Sequence, residues 1–253
     1  MQNYKELDSY YFPDISVVIL CYKEGDSIRQ FVKKTTNVLE VNKIFNYELV
    51  LVGNYHQGSA DKTPKVVAEL ASQNPKILYV AKVKQGMMGW DMRSGLSQAR
   101  GKYIVVIDGD GQMLIEDLVK VYRKIKAEKL DLVKTYRAER GDSQWRKFLN
   151  MTYNLVFNIL FPGLRSRDIN SKPKIMAREI YKKLNLESDD WFIDAEIMIQ
   201  ARRLNFKIGE IPTCFHELSD KRKSFVKFPA VLEFIKNLII YRIKEFKNNG
   251  KIK

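Results

Sequence analysis

Two aspartates, Asp108 and Asp110, stand one residue apart in the segment DGDGQ, directly after the apolar run YIVVI. Two carboxylates at this spacing, with glycine between and after them, can both face a hard divalent cation such as Mg²⁺ or Mn²⁺. The ion would bridge them to a diphosphate and neutralise the charge that develops as a bond to phosphate breaks. The alternative is an Asp-Gly turn that joins a strand to a helix. The position directly after a buried strand favours the metal site.

The chain around this triplet alternates apolar runs with helical patterns, which predicts an α/β fold with a Rossmann-like, mostly parallel sheet and flanking helices. Ligands of such sheets bind at the carboxyl ends of the strands, so the loops after the first four strands are where a site is expected. Strands are predicted over residues 15–21, 47–52, 77–81, 103–107 and 130–134, and helices over about 27–40, 62–73, 90–100 and 114–128.

Charge is concentrated at one end of this 253-residue chain. The formal net charge is +14, and residues 221–253 hold ten basic and two acidic side chains, a net +8. A basic block indicates nucleic acid, an anionic membrane face or phosphorylated substrates as the partner. Two amphipathic helices, over 145–161 and 228–246, favour the membrane, because lysines that flank an apolar face suit the headgroup region. The alternative is that these helices pack on each other or in a homodimer.

Composition narrows the class of protein. Hydrophobic residues make up 45% of the chain, which excludes wholesale disorder. Cys21 and Cys214 form neither a disulfide framework nor a zinc pattern. No signal peptide and no uncharged apolar stretch of ~18 residues is visible. We therefore expect a cytoplasmic protein, peripheral on the cytoplasmic face of a membrane. The expected domains are a catalytic domain over 1–226, which includes the 145–161 helix, and a basic amphipathic helix over 227–253.

Four segments occur in an order and at distances that together resemble family 2 glycosyltransferases of the GT-A fold, and most of all the dolichol or polyprenyl-phosphate sugar synthases. The resemblance covers roughly residues 14 to 226. The segments are IxVVIxxYxE (Ile15–Glu24), GSADKT (Gly58–Thr63), QGMMGWDMRSGLSQARGKYIVVIDGDGQ (Gln85–Gln112) and EIP (Glu210–Pro212).

The resemblance implies a role for each matching position on the donor side. Residues expected to bind the nucleotide-sugar are Tyr22 and Glu24 at base and ribose, Asn54 in the base-reading segment, Gln85, Gly86 and Asp91 under nucleotide and sugar, Asp108 at the diphosphate, and Lys223 and Ser224 in a loop that closes over it. Metal and diphosphate would be held by Asp108, Asp110 and Gln112.

Other matching positions imply roles toward the acceptor and the reaction. Arg137 and Arg146 match basic positions that receive an acceptor phosphate, Asp168 matches a segment that lines the sugar site, and Asp194 and Glu196 match a segment near the reacting centre. The simpler interpretations are that Tyr22 packs at a strand end and that the two arginines are solvated charges. Asp194 and Glu196 would then only interact favourably with the dipole at a helix start.

The chain also departs from the family pattern at three places. Val52-Gly53-Asn54 stands where the family usually has two aspartates, one of which reads the base. Met87 and Met88 replace the usual basic residue of the N-x-G-K-G segment, and residues 170–174, NSKPK, replace the G-x-F-R sequence. These changes predict an unusual base and sugar pocket around an intact metal triplet.

The function predicted from these residues is inverting, metal-dependent transfer of a sugar from a nucleotide-sugar donor to a polyprenyl phosphate at a membrane surface. A lipid phosphate attacks without deprotonation, whereas a glycan hydroxyl acceptor, the second hypothesis, would need a carboxylate base, with Asp194 the leading candidate. The third hypothesis is a noncatalytic basic binding protein. No nucleic-acid-binding module is recognised, so nucleic acid is not expected as a partner.

Overall fold

The computed structural model describes residues 12–140, 144–164, 166–216, 235–243 and 245, with the side chains of 139–150 outside this description. One seven-stranded sheet has the order β3-β2-β1-β4-β6-β5-β7. Its strands are β1 (Ile15–Leu20), β2 (Tyr47–Val52), β3 (Ile77–Val80), β4 (Tyr103–Asp108), β5 (Leu132–Arg140), β6 (Lys174–Ala177) and β7 (Ile208–Phe215). The helices are α1 (Ser27–Val41), α2 (Thr63–Gln73), α3 (Met88–Leu96), α4 (Asp117–Ala127), α5 (Gln144–Leu160), α6 (Arg178–Tyr181) and α7 (Ile193–Arg203).

The mostly parallel α/β fold expected from the sequence is confirmed. Strands β1 and β2 are buried along their whole length, as continuous apolar runs require when helices cover both faces of a parallel sheet. The structure adds two strands that the apolar pattern did not predict, β6 and β7. Strand β6 runs antiparallel to both of its neighbours, β4 and β5, whereas β7 pairs in parallel with β5.

Helices cover both faces of the sheet. Apolar side chains of α1, α2 and α4 pack in one core cluster with β1, β2 and β4. The opposite face is covered by α3, α5 and α7, and Leu238 of the helical 235–243 segment is fully buried in that second cluster. The basic C-terminal helix predicted over 228–246 therefore packs against the α/β core through its described part.

Helix α5 directs two asparagines toward the protein. Asn154 is buried, and its Oδ1 accepts a hydrogen bond of 3.0 Å from the backbone amide of Ile169. Asn158 Nδ2 donates to the carbonyl of Ser166 at 3.2 Å. Large apolar side chains one turn apart lie instead in solvent, with exposed fractions of 62%, 59% and 68%: Met151, Leu155 and Ile159. Amides thus hold the helix to the protein while an apolar stripe faces outward.

None of the helices in the described part of the chain is long and apolar enough to cross a bilayer.

Candidate active site

Strand direction determines which side chains meet at the proposed site. Strands β1, β2 and β4 are parallel, so the loops that follow them lie at one edge of the sheet. Because β6 is antiparallel to β4, the segment that leads into β6 lies at that same edge. The turn after β4, which carries Asp108 and Asp110, therefore meets the NSKPK segment that the sequence marked as a departure.

The acidic pair lies at the tip of β4. Asp108 keeps 31% of its side chain exposed, and Asp110 Oδ1 accepts a hydrogen bond of 3.0 Å from the amide of Gln112. Gly111 has a φ of 74°, which suits glycine and allows this tight turn. Burial, followed by the charge of Asp108 and then that of Glu24, raises the pKa of Asp110 to about 6. Two carboxylates that repel each other in this way form a place for a positive charge.

The donor set at β4 fits a divalent cation. Mg²⁺ prefers carboxylate oxygens and keeps several waters, so Asp108 and Asp110 supply suitable ligands. Gln112 Nε2 donates to the carbonyl of His216 at 3.4 Å, and its other side-chain atom, Oε1, is the one that would ligate an ion. Among the described residues, no three His, Cys, Asp or Glu side chains are arranged as a metal site. The remaining ligands would therefore be the substrate's oxygens and water.

A lysine contacts Asp108, one member of this acidic pair. Lys172 Nζ lies 3.2 Å from Asp108 Oδ2 and 3.2 Å from Asp194 Oδ2, and only 3% of its side chain is exposed. Burial alone would lower the pKa of this ammonium, but the charges of Asp108 and Asp194 raise it above its ordinary value. Lys172 is therefore a positive charge fixed beside Asp108.

Asp194 is the centre of this charged cluster. Its carboxylate is fully buried, with Lys174 Nζ on Oδ1 and Lys172 Nζ on Oδ2. Burial alone would raise the pKa of Asp194, and the two lysines hold it below its ordinary value. Such a carboxylate is a weak base. The position near the reacting centre expected for Asp194 is compatible with its contact to Lys172, but its bonding partners do not favour the role of general base.

Arg137 and Asp168 are bound to each other. Arg137 Nε donates to Asp168 Oδ2 at 2.7 Å, and its Nη2 donates to Oδ1 at 3.0 Å. This two-point pair has the geometry that guanidinium and carboxylate prefer. Asp168 is 3% exposed and Arg137 16% exposed at the side chain. The two residues predicted for the sugar site and the acceptor phosphate thus form one unit.

On the donor side, a second polar cluster follows β2 and β3. Asn54 Nδ2 donates to Asp91 Oδ1 at 2.9 Å, and Asn54 Oδ1 accepts from the amide of Lys82. Lys84 pairs with Asp91 Oδ2 and lies 4.3 Å from the ring centroid of Tyr22. Burial raises the pKa of Asp91 in spite of Lys84. Lys84, which sequence reasoning did not single out, connects Tyr22 to the Asn54–Asp91 pair.

The start of α3 is occupied by protein rather than open to a ligand. The amides of Met87 and Trp90 donate to the carbonyl of Asp189, and the amide of Gly89 donates to that of Asp190. A Cβ on Gly89 would lie 2.3 Å from the carbonyl oxygen of Ser188, so only glycine allows this approach. Gln85 and Gly86 precede this contact. These amides already have partners, and the role of Gln85, Gly86 and Asp91 under nucleotide and sugar stays a prediction.

Glu196 also has a different environment from the one expected. Its two carboxylate oxygens accept hydrogen bonds from the amides of Glu187 and Ser188 at 3.0 and 2.9 Å, and the Tyr241 hydroxyl donates to Oε1. Glu196 is fully buried. From the first turn of α7, Glu196 thus positions the backbone of residues 187 and 188.

The remaining predicted residues are placed as follows. Tyr22 and Glu24 follow β1, and the Ser27 hydroxyl donates to Glu24 Oε2 at 3.0 Å. Arg146 lies in α5, but its side chain is outside the described part. Lys223 and Ser224 lie outside the described residues.

Comparisons with known proteins agree with this architecture. The model of the family described as "Glycosyl transferase family 2" matches residues 16–190. The chain belongs to glycosyl transferase family 2. This membership confirms the resemblance noted in the sequence and the expectation of a nucleotide-sugar glycosyltransferase.

Relatives and folds extend the comparison. This family 2 enzyme is 29% identical to a dolichyl-phosphate beta-glucosyltransferase of Trichomonas vaginalis, over 92% of this chain and 75% of the relative. It is 25% identical to a dolichyl-phosphate beta-glucosyltransferase of Dictyostelium discoideum, over 100% and 80%. Glucosyl-3-phosphoglycerate synthase of Mycobacterium tuberculosis, solved with Mn²⁺ and UDP, has a similar fold, with a TM-score of 0.66, 18% identity and coverage of 94% and 80%.

Proposed function

We propose that this enzyme transfers glucose from UDP-glucose to the phosphate of a dolichol-type polyprenyl lipid, with inversion at the anomeric carbon. The names of the two relatives support glucose and the lipid phosphate, and the bound UDP of the structural neighbour supports the nucleotide. The observation that carries the choice of acceptor lies in this chain: the carboxylate best placed to be a base, Asp194, is buried and neutralised by two lysines.

The chemistry of the acceptor explains why this observation matters. A hydroxyl must lose a proton as it attacks, so it needs a base with a pKa near the working pH. Asp194 has a pKa held below its ordinary value, and Asp168 is held by Arg137. A phosphate monoester is already an anion near neutral pH and needs no such base. Positive groups that orient it are sufficient.

Charge at the leaving group is the other part of the barrier. Asp108 and Asp110 would hold a divalent ion, which supplies electrostatic stabilisation to the departing diphosphate. The protein adds the ammonium of Lys172 beside Asp108, fixed before the reaction begins. Fixed charges of this kind are effective because no reorganisation is needed as the transition state forms. Lys223 and Ser224 are proposed to close over the same diphosphate.

The nucleotide is proposed to bind across the first two strand ends. Tyr22 and Glu24 would contact base and ribose, with Lys84 against the Tyr22 ring. Asn54 and Asp91 hold each other, so Asn54 would act by fixing Asp91. Gln85 and Gly86 would form the wall beside this pair.

On the acceptor side, Arg137 and Arg146 are proposed to orient the lipid phosphate. Guanidinium groups suit this task because they contact two phosphate oxygens at once. Asp168 orients Arg137 through the two-point pair and would line the sugar site through the same contact.

The outward stripe of α5 supports a membrane-surface location. Met151, Leu155 and Ile159 lie one turn apart and are all more than half exposed. The described C-terminal helix exposes Ile239, Ile240 and Ile243. Apolar faces flanked by basic residues bind at the headgroup boundary of anionic bilayers. Each basic residue near the anionic surface adds ~1 kcal/mol to the free energy of membrane binding. The segment over 221–253, with a net charge of +8, would therefore contribute several kcal/mol. We propose the cytoplasmic face, whose lipids are anionic.

The test is transfer of labelled glucose from UDP-glucose into vesicles that contain dolichyl phosphate, with Mn²⁺ or EDTA. We expect label in the organic phase that requires both dolichyl phosphate and the ion. The control acceptor is dolichol without its phosphate, which should receive no label. Label that enters only water-soluble glycans would favour the hydroxyl-acceptor hypothesis, and no transfer from UDP-glucose or GDP-mannose would contradict the proposal.

A further inference from the structure

Lys172 contacts a carboxylate that is proposed to ligate the divalent ion. Its ammonium is 3.2 Å from Asp108 Oδ2, one of the oxygens that the DGDGQ segment offers to a metal. The side chain is 3% exposed and is held on its other side by Asp194 Oδ2 and by Met88 Sδ at 3.3 Å. These contacts leave Lys172 little freedom to move away.

We propose that Lys172 is a built-in cation that competes with the divalent ion for Asp108, so that the ion binds tightly only together with the donor's diphosphate. The proposal rests on the proposed function, because it concerns the ion and diphosphate of that same site. It makes Lys172 a residue that sets the order of binding and the affinity for metal.

The balance of charge explains the expected order. Without substrate, Lys172 and Lys174 already compensate Asp194 and part of the charge of Asp108. An added divalent ion would have to share Asp108 with the ammonium at close range, and like charges in a partly buried site repel strongly. A diphosphate brings at least two negative charges. Its oxygens can accept a hydrogen bond from Lys172 and ligate the ion at the same time. The donor therefore removes the competition.

Lys172 and Lys174 have separable effects. Lys174 is equally buried, but its described contacts are with Asp194 and the carbonyl of Ile169, not with Asp108. Removal of Lys174 also takes one positive charge from the cluster, yet leaves the Lys172–Asp108 contact in place. A change specific to Lys172 therefore reports the contact with Asp108 rather than the total charge.

The experiment is a titration of the full chain with Mn²⁺, with and without UDP, followed by the electron paramagnetic resonance signal of free Mn²⁺. A titration of UDP without protein gives the Mn²⁺ that UDP binds by itself, and the remainder is the fraction bound to protein. We expect UDP to tighten Mn²⁺ binding by wild type at least 100-fold. Lys172→Met should tighten Mn²⁺ binding without UDP at least tenfold, and Lys174→Met less than threefold. Circular dichroism verifies that each variant folds.

Several outcomes would overturn the proposal: equal Mn²⁺ affinities of wild type and Lys172→Met, an equal gain in both lysine variants, or no bound Mn²⁺ in any of them. If Lys172→Met does not fold, Lys172→Gln keeps a hydrogen-bond donor without the charge and should give the same gain. Wild type alone can contradict the proposal, since micromolar Mn²⁺ binding without UDP is incompatible with competition. No lipid acceptor is present, so failure of lipid transfer and failure of this proposal are distinguishable.

Discussion

Lys134 and Lys174 lie directly opposite each other on the adjacent strands β5 and β6, and both side chains are buried. Two like charges at such positions are stable only because acids surround them. Lys134 Nζ is 2.9 Å from Glu210 Oε1, and Lys174 pairs with Asp194. Burial lowers the pKa of both lysines, that of Lys174 to about 8. The interior of the sheet thus contains a charged network at the edge where substrate would bind.

The first prediction concerns the acid at the centre of this network. Asp194→Asn should lower the free energy of unfolding by about 3–5 kcal/mol, because it leaves two buried ammonium groups without their shared counter-ion. Urea unfolding followed by circular dichroism measures it. Asp189→Asn is the control: the Asp189–Arg93 pair is partly exposed, and its loss should cost less than about 1 kcal/mol. Equal losses in the two variants would contradict this picture.

The comparison of wild type with Asp194→Asn also gives a prediction on the pH dependence of stability. Lys172 and Lys174 hold the pKa of Asp194 below its unfolded value of about 3.9. The ionised carboxylate therefore stabilises the native state fully above that pH, and the contribution is lost as pH falls through the lower native pKa. The difference in stability between wild type and Asp194→Asn should shrink as pH falls below about 4, because wild type loses this contribution there. A difference that grows as pH falls from about 4 would have the wrong sign.

The acidic pair at β4 gives a prediction on ligand binding. Asp108→Asn and Asp110→Asn should each remove most of the rise in melting temperature that UDP with Mn²⁺ produces, because a ligand stabilises only what it binds. A thermal-shift titration measures this effect. Asp26→Asn changes an exposed carboxylate paired with Arg29 and should keep the full rise. Retention of the rise in Asp108→Asn would exclude the triplet as the metal site.

The Asn54–Asp91 contact predicts the effect of restoring an aspartate after β2. Asn54→Asp would place a second carboxylate within 2.9 Å of Asp91 Oδ1, where Asn54 now donates a hydrogen bond. Loss of that donor in a buried site should cost about 1–3 kcal/mol. Thermal unfolding measures the loss, and Asn46→Asp, at an exposed position, is the control. An Asn54→Asp variant as stable as wild type would show that the contact contributes little.

The exposed stripe of α5 gives a prediction on membranes. Replacement of Met151, Leu155 and Ile159 by serine should reduce binding to anionic vesicles at least tenfold, because each side chain would bury apolar surface worth about 1.5–3 kcal/mol when fully covered. Co-sedimentation measures the binding. Val41→Ser with Phe45→Ser removes two equally exposed apolar side chains at the end of α1 and after it, and should leave the binding unchanged. Equal losses would indicate nonspecific adsorption.

Much of the fold was predictable because parallel strands covered on both faces have continuous apolar sequences, as in β1, β2 and β4. Strand β6 was missed for the opposite reason. It has only four residues, begins at a buried lysine and follows Pro173, so its sequence lacks the apolar run that signals a strand. The buried ion pairs that allow a lysine there involve residues far away in the chain.

The same contrast applies to the site. The acidic triplet is local in sequence and can be recognised from the sequence alone, whereas the Lys172–Asp108 contact joins residues 64 positions apart. Sequence reasoning marked Lys172 as a departure but could not place it, because the reversal of β6 that brings it to Asp108 was not predicted. Glu196 was assigned by its neighbours in sequence, while its hydrogen bonds are set by the fold around α7.

The inward asparagines of α5 restrict how that helix can turn about its axis. Asn154 binds the amide of Ile169, and the carbonyl of Ile169 accepts from Lys174, which in turn holds Asp194. Rotation by a single residue step, about 100°, would carry Asn154 away from this chain of bonds. The outer surface of the helix and the buried charges at the sheet edge are therefore kept in one fixed alignment, so that any ligand seated on either would meet the other in a set orientation.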